Sequence, residues 1–218
     1  MIVLLFKPKT PSTARPMPRT RALSDDVILE RSIAVFWRRG YAGASLRDLT
    51  EATGLSAAAL YHRFTDKDGL FVAALTRYAD EGLVERLGRL SAFDDPLAAI
   101  LALIDELIAL SLADPERRGC LLVNTALDGA PLSDAARAVV RARLDEVEVF
   151  FAQQLRRAVA AGALPAETDV AAKAAALLGA VVGVRVLARL EADAKRLRAL
   201  ADHAMAGLAA SDRPRRLQ

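Results

Sequence analysis

The stretch 54–70 reads GLSAAALYHRFTDKDGL. Gly54 is a helix stop, because only glycine takes the left-handed C-terminal conformation at no steric cost, and Ser56 two residues later is an N-cap. The short helix that follows turns Ala59, Leu60 and Phe64 inward and ends in a cluster of hydrogen-bond donors, Tyr61, His62 and Arg63. Thr65-Asp66 then starts another helix at once. A helix that only filled a core has no use for clustered donors at its end, whereas one pressed against a phosphate backbone does.

Upstream the same punctuation repeats. Ser45 caps a short helix whose inner face is Leu46, Leu49 and Ala52, and Ser24, with Asp25 and Asp26 in the first turn, starts a longer one carrying Val27, Ile28, Ile33, Ala34 and Phe36. Gly40 is expected to end it. Downstream, Leu70, Phe71, Ala74, Leu75 and Tyr78 form the seam of a fourth helix running from Thr65-Asp66 to about residue 90. A short helix, a glycine-containing turn and a second short helix form the helix-turn-helix arrangement, whose second helix enters the DNA major groove.

Beyond Ser91 the periodicity lengthens and predicts helices near 95–112, 117–128, 133–161, 168–190 and 194–210, broken at Asp114-Pro115, Gly129-Ala130-Pro131 and Gly162 to Pro165. With 53% hydrophobic and 5% aromatic residues, the chain is rich in Ala and Leu, and the expected class is all-α: a three-helix N-terminal head joined by a long fourth helix to a larger helical body. The expected layout is a basic, proline-rich arm at 1–22 too polar to order itself, a DNA-binding head at 23–70, a ligand-binding and dimerisation body at 71–211 and a tail at 212–218. Translation starting at Met17 instead of Met1 is an open alternative for the arm.

The net charge of +3 is a property of that arm. Residues 1–21 hold five Lys or Arg and no acid, and the rest of the chain is near neutral, so basicity alone does not argue for nucleic acid. The single cysteine, Cys120, excludes an internal disulfide and suits a reducing, cytoplasmic setting. "MIVLLF" is too short for a signal-peptide core, and "AAALLGAVVGV" (174–184) is too short to span a bilayer, so no membrane association is expected.

The stretch 40–75, GYAGASLRDLTEATGLSAAALYHRFTDKDGLFVAAL, resembles the N-terminal domain of the tetracycline-repressor (TetR) family of bacterial regulators. The pattern covers residues 24–76 through Gly40-Tyr41, Ser45, Leu46, Leu49, Ala52, Gly54-Leu55-Ser56, Leu60-Tyr61, Phe64, Lys67 and Leu70. The resemblance implies a homodimer that binds double-stranded, palindromic operator DNA as a repressor and releases it when a small molecule occupies the body. It implies phosphate contacts from Ser45, Arg47, Tyr61, His62 and Lys67, and a base-facing edge at Ser56, Ala57 and Ala58. Many members have a polar residue and glycine where this chain has Ala57-Ala58, so readout here is expected to lean on apolar contact with thymine methyls and on the arm in the adjacent minor groove. Tyr61 covering the head's core, or His62 and Lys67 merely solvated, are the plainer alternatives.

In the body, Ala174, Leu178, Val181 and Val184 or Arg185 recur at helical spacing with Gly179 and Gly183 as small positions that admit another helix, either a partner subunit's or one of the same fold. The resemblance implies that the last two long helices of each subunit form the dimer interface. Cys120, Val123, Asn124 and Leu127 share a helix face, so thiol and amide are candidates for a cavity wall together with the apolar Ile104, Leu107 and Phe150, for which a place in the core is the stronger reading. Cys120 as a small buried hydrophobe is the competing reading. The string Gly-Cys-Leu-Leu-Val-Asn resembles a branch of the family in which this cysteine senses electrophiles. No basic cluster demands a phosphorylated ligand. An enzyme is not expected: HExxH, CxxC and glycine-rich phosphate loops are all missing, and neither His62 nor His203 is spaced to pair with Cys120. No catalytic residue, cofactor or metal is expected. A ligand-independent architectural DNA-binding protein is the alternative function.

Overall fold

The computed structural model describes residues 23–128 and 131–209, and the N-terminal arm, with its two candidate start codons, lies outside them. Among the described residues the regular structure is entirely helical. α1 (Asp25–Gly43) starts where the hydroxyl of Ser24 accepts the N–H of Val27, and buries Ile28, Ser32 and Phe36. Gly40 breaks it as expected, with φ 68 and ψ 175, but the chain recovers one further turn to Gly43 before stopping. α2 (Leu46–Thr53) and α3 (Ala57–Phe64) are joined by Gly54, in the left-handed conformation at φ 72, and by Ser56, whose hydroxyl accepts the N–H of Ala59.

The long fourth helix is a composite. α4 (Lys67–Ala79) passes into a π-helical turn, Asp80–Val84, and continues as α5 (Glu85–Ser91). The wider turn re-phases the helix, and such turns gather at functional sites. Arg143 grips it from α8 through Asp80 at 2.6 Å, and Arg86 holds Glu106 of α6 at 2.9 Å.

The body contains α6 (Pro96–Leu112), α7 (Leu121–Leu127), α8 (Asp134–Ala160), α9 (Val170–Leu190) and α10 (Ala194–Ala209), close to the boundaries read from periodicity. α7 is the exception. The expected start near 117 is displaced to Leu121, because Asp114 accepts the backbone N–H groups of Glu116 and Arg118 at 3.2 and 2.8 Å and winds the intervening residues into a turn. Arg117 at φ 48 and Gly119 at φ 75 complete that turn.

Two apolar clusters hold the chain together. One lies between α6, α8, α9 and α10 around Ile100, Leu103, Phe151, Leu155 and Leu177. The other begins in the head with Ile28, Phe36, Leu49 and Leu60, follows α4 through Leu70, Phe71 and Leu75, and ends on Leu121, Leu122 and Val140 of the body. The head core thus runs on past residue 70 into α7 and α8. α9 is long and apolar enough to cross a membrane by length and composition, yet its exposed positions include Ala171, Ala172, Ala175, Ala176 and Gly179, a small-residue surface shaped for another helix.

Candidate nucleic-acid interface and internal cavity

The α2–turn–α3 unit is fastened at each terminus. Ser45 and Asp48 form a reciprocal cap: Ser45 Oγ accepts from Asp48 N at 3.1 Å, while Asp48 Oδ2 accepts from Ser45 N at 2.9 Å and from Ser45 Oγ at 2.6 Å. The Ser45 hydroxyl, and after it the Ser45 backbone, hold the Asp48 carboxyl below its usual range. Thr53 is buried, donating to Leu49 O at 2.7 Å, and Arg31 reaches from α1 to Thr53 O at 3.2 Å.

This scaffold leaves Ser45, Arg47, Ser56, Ala58 and His62 exposed, with Ala57, Tyr61 and Lys67 half-buried. Arg47 lies along α2 with Nε 2.7 Å from Glu51 Oε1. Tyr61 packs against the head core as well as reaching the surface, so the two roles weighed for it coexist. Lys67 Nζ sits 4.6 Å from the ring centroid of Tyr41, which places the ammonium at the junction of α3 and α4. Burial first, then Asp68, Asp66 and Tyr61, push the Tyr41 hydroxyl above its ordinary range.

Two features of this face were not singled out from sequence. Arg63 donates to Leu23 O at 2.7 Å and to Asp25 Oδ1 at 3.1 Å, which ties the point where the N-terminal arm leaves the fold to the second helix of the motif. The α3–α4 junction is also very tight. Thr65 is held at φ 70, and a Cβ on Gly69 would lie 2.0 Å from the carbonyl oxygen of Phe64. The helix start at Thr65-Asp66 was legible there, but the close approach was not.

Beneath the head, α1, α4, the π turn, α5 and α6 to α9 line a cavity of about 420 Å³. Its wall includes Trp37 of α1, Tyr78 of α4, Gly82 and Leu83 of the π turn, Leu107, Cys120, Leu122, Val123, Val147, Val181 and Arg185. Of the residues expected to line a ligand site, Leu107 and Cys120 are on this wall. Ile104 and Phe150 are instead buried in the cluster between α6, α8, α9 and α10, because their helix faces point between α6 and α8. Asn124 is also off the wall: its amide donates to Arg118 O at 2.7 Å and accepts from Arg189 at 3.0 Å. Thiol and amide do not share the cavity, since Cys120 is the N-cap of α7 and Asn124 lies inside the first turns. Arg185, read with Val184 as part of a helix-packing seam, points into the cavity with only 7% of its surface exposed.

Tyr78 joins these parts. Its ring packs edge to face on Trp37, its oxygen accepts from Leu121 N at 3.4 Å, and its hydroxyl is pushed well above the ordinary range by burial and then by the neighbouring Cys120. Arg118 stacks over the Trp37 ring at 4.3 Å and pairs with Asp114, while Arg38 of α1 grips Glu116 through two bonds of 3.0 Å. The 114–118 turn is therefore clamped to the head.

Residues 28–74 match the model of the bacterial regulatory proteins of the tetR family, and residues 96–209 match the tetracyclin repressor-like C-terminal domain. The HTH-type transcriptional repressor ComR of Escherichia coli (strain K12) is 30% identical over 184 residues, 84% of this chain and 88% of its own. The uncharacterised HTH-type transcriptional regulator YezE of Bacillus subtilis (strain 168) is 30% identical over 198 residues, 90% of this chain and 100% of its own. Among solved structures, a cysteine mutant of the TetR family transcriptional regulator CifR, complexed with 26-base-pair double-strand operator DNA, superposes with a TM-score of 0.78 at 36% identity over 86% of this chain and 98% of that one.

Proposed function

The chain belongs to the tetR family of bacterial regulatory proteins and is a DNA-binding transcriptional regulator, not an enzyme; from that premise we propose that it is a repressor that binds a palindromic operator as a homodimer and lets go when a small molecule fills the cavity. The observation that carries this reading is the make-up of the cavity wall. Trp37 belongs to the first helix of the head and Tyr78 to the helix that connects head and body, so an occupant touches the DNA-binding unit directly. A ligand that fits the cavity better in one disposition of α4 than in another shifts the separation of the two recognition helices by that differential affinity alone.

Ser45, Arg47, Tyr61, His62 and Lys67 are the proposed phosphate contacts, and Ser56, Ala57 and Ala58 the edge laid against bases. The homodimer is proposed to form through the outer face of α9, where Gly179 has open space above it and the neighbouring positions are alanine. A DNA target and an unpaired cysteine support a cytoplasmic site of action. An electrophilic effector would meet the Cys120 thiol inside the cavity, beside Tyr78; if a Cys120→Ser variant released DNA as wild type does, that part of the reading would fall.

Selection of bound sequences from a random duplex pool by the purified protein tests the proposal. A palindromic motif is the expected result. Enrichment of nothing, with binding that vanishes at moderate salt, would leave the ligand-independent architectural reading in its place.

A further inference from the structure

Among the described residues no carboxylate pairs with the buried cation Arg185. Its side chain donates from Nη1 to Leu107 O at 3.1 Å and to Ser111 Oγ at 2.7 Å, and from Nη2 to Gly119 O at 2.7 Å, all neutral acceptors. These three bonds use three of the five N–H donors of a guanidinium. Nε is fully enclosed and has no acceptor at all. Arginine does not shed its charge, and an ionised group held away from water is costly unless an opposite charge meets it.

The rest of the wall does not supply that charge. Asp114 is the one carboxylate on it, and it is engaged by Arg118 and by two backbone N–H groups. The other charged wall residues are cations: Arg86, paired with Glu106, and Arg118. The remaining surface is dominated by Leu107, Leu122, Val123, Val147, Leu178 and Val181. A mostly apolar cavity with one unsatisfied guanidinium donor is complementary to an amphiphile that carries a single negative charge.

We propose that the cavity binds an organic monocarboxylate, its hydrocarbon or aromatic part against the leucine and valine wall and its carboxylate paired with the guanidinium of Arg185. This rests on the reading of the cavity as the effector site and names the chemical class it takes. Because Arg185 bonds Leu107 and Ser111 of α6 and the Gly119 carbonyl, a carboxylate seated there would pull on the turn that Arg38 and Trp37 clamp to the head.

The single tryptophan, Trp37, lies in the same wall, so its fluorescence reports occupancy without DNA. The probes are decanoate, benzoate and naphthalene-2-carboxylate, each titrated beside its uncharged primary amide. The expected result is a saturable change with at least one acid, binding about tenfold or more tighter than its amide, and loss of that preference in Arg185→Met with the amide still bound. Equal affinity for every acid and amide pair in the wild-type protein, or no binding of any acid, would overturn the proposal, and this comparison needs no variant to fold. Survival of the acid preference in Arg185→Met would overturn the role of Arg185. Operator release is a separate readout: acid binding that leaves the operator complex intact would remove the regulatory reading and keep the anion site, whereas release by uncharged compounds alone would do the reverse.

Discussion

The rings of Trp37 and Tyr78 meet edge to face, with centroids 5.0 Å apart and planes at 73°. This contact joins α1 of the head to the connecting helix at the edge of the cavity, and Arg118 stacks over the indole ring. Removing the indole by Trp37→Leu is expected to cost about 1–2 kcal/mol, the combined worth of an aromatic pair and a cation–π contact. Tyr78→Phe keeps the ring but leaves the Leu121 N–H without its acceptor, and about 1 kcal/mol is expected there. Urea unfolding of both single variants and the double variant checks this. The losses should fall short of additive, because the residues touch, and strict additivity would mean that the Trp37 indole and the Tyr78 hydroxyl act independently.

Two glycines should respond in opposite directions. A Cβ at Gly69 meets the backbone oxygen of Phe64 at 2.0 Å, which neither side can yield, so Gly69→Ala is expected to destabilise the head by about 2 kcal/mol or more. Gly88 in α5 is exposed with nothing within 4 Å, and Gly88→Ala is expected to stabilise by about 0.5–1 kcal/mol through helix propensity. Thermal unfolding of the two variants decides. A neutral Gly69→Ala would mean that the α3–α4 junction is looser than the geometry shows.

Acid should loosen the protein in a defined window. Asp48 is held below its ordinary 3.8 by Ser45, Glu116 below its ordinary 4.5 by Arg38, and Glu106 below the same value by Arg89 and, against the effect of burial, by Arg86. A carboxyl with a depressed folded-state pKa contributes stability that is fully present above its unfolded value and disappears as pH falls through the folded one. The urea midpoint is therefore expected to hold steady down to about pH 5 and to decline below about pH 4.5. Asp48→Asn and Glu116→Gln should each make the decline shallower. A midpoint that falls just as steeply in both variants would assign the acid sensitivity to other carboxylates.

Salt dependence separates the DNA contacts. If Lys67 and Arg47 meet phosphates, Lys67→Met and Arg47→Met should each flatten the slope of log affinity against log salt by about one unit per half-site and leave the selected sequence unchanged. An unaltered slope for the Arg47 variant would reduce that residue to its surface pair with Glu51.

Much of the head was legible because its signals are local. Ser24, Ser45 and Ser56 cap helices through contacts three residues away, and Gly54 terminates α2 by its own φ. The spacing of Leu49, Leu60 and Leu70 sets three helices in register, and each is wholly buried. The cavity was much less legible. Leu107 and the N-cap Cys120 reached its wall while Ile104 and Phe150 went to the core, although Ile104, Leu107 and Phe150 are all apolar residues on helices. Periodicity reports that a face is covered and does not report by what.

The sequence by itself determined the helical class, the cap and stop positions, the helix-turn-helix and its exposed donors, because those depend on residues within a turn or two of one another. Only the tertiary structure decided that the head core extends into α7 and α8, that the long connecting helix widens at Asp80–Val84, and that Arg185 lines a cavity while it bonds α6. Each of these depends on how far apart α1, α6, α7 and α9 come to rest. That spacing is set by contacts between residues 60 or more positions apart, such as Arg185 with Gly119 and Arg38 with Glu116, and no local pattern encodes it.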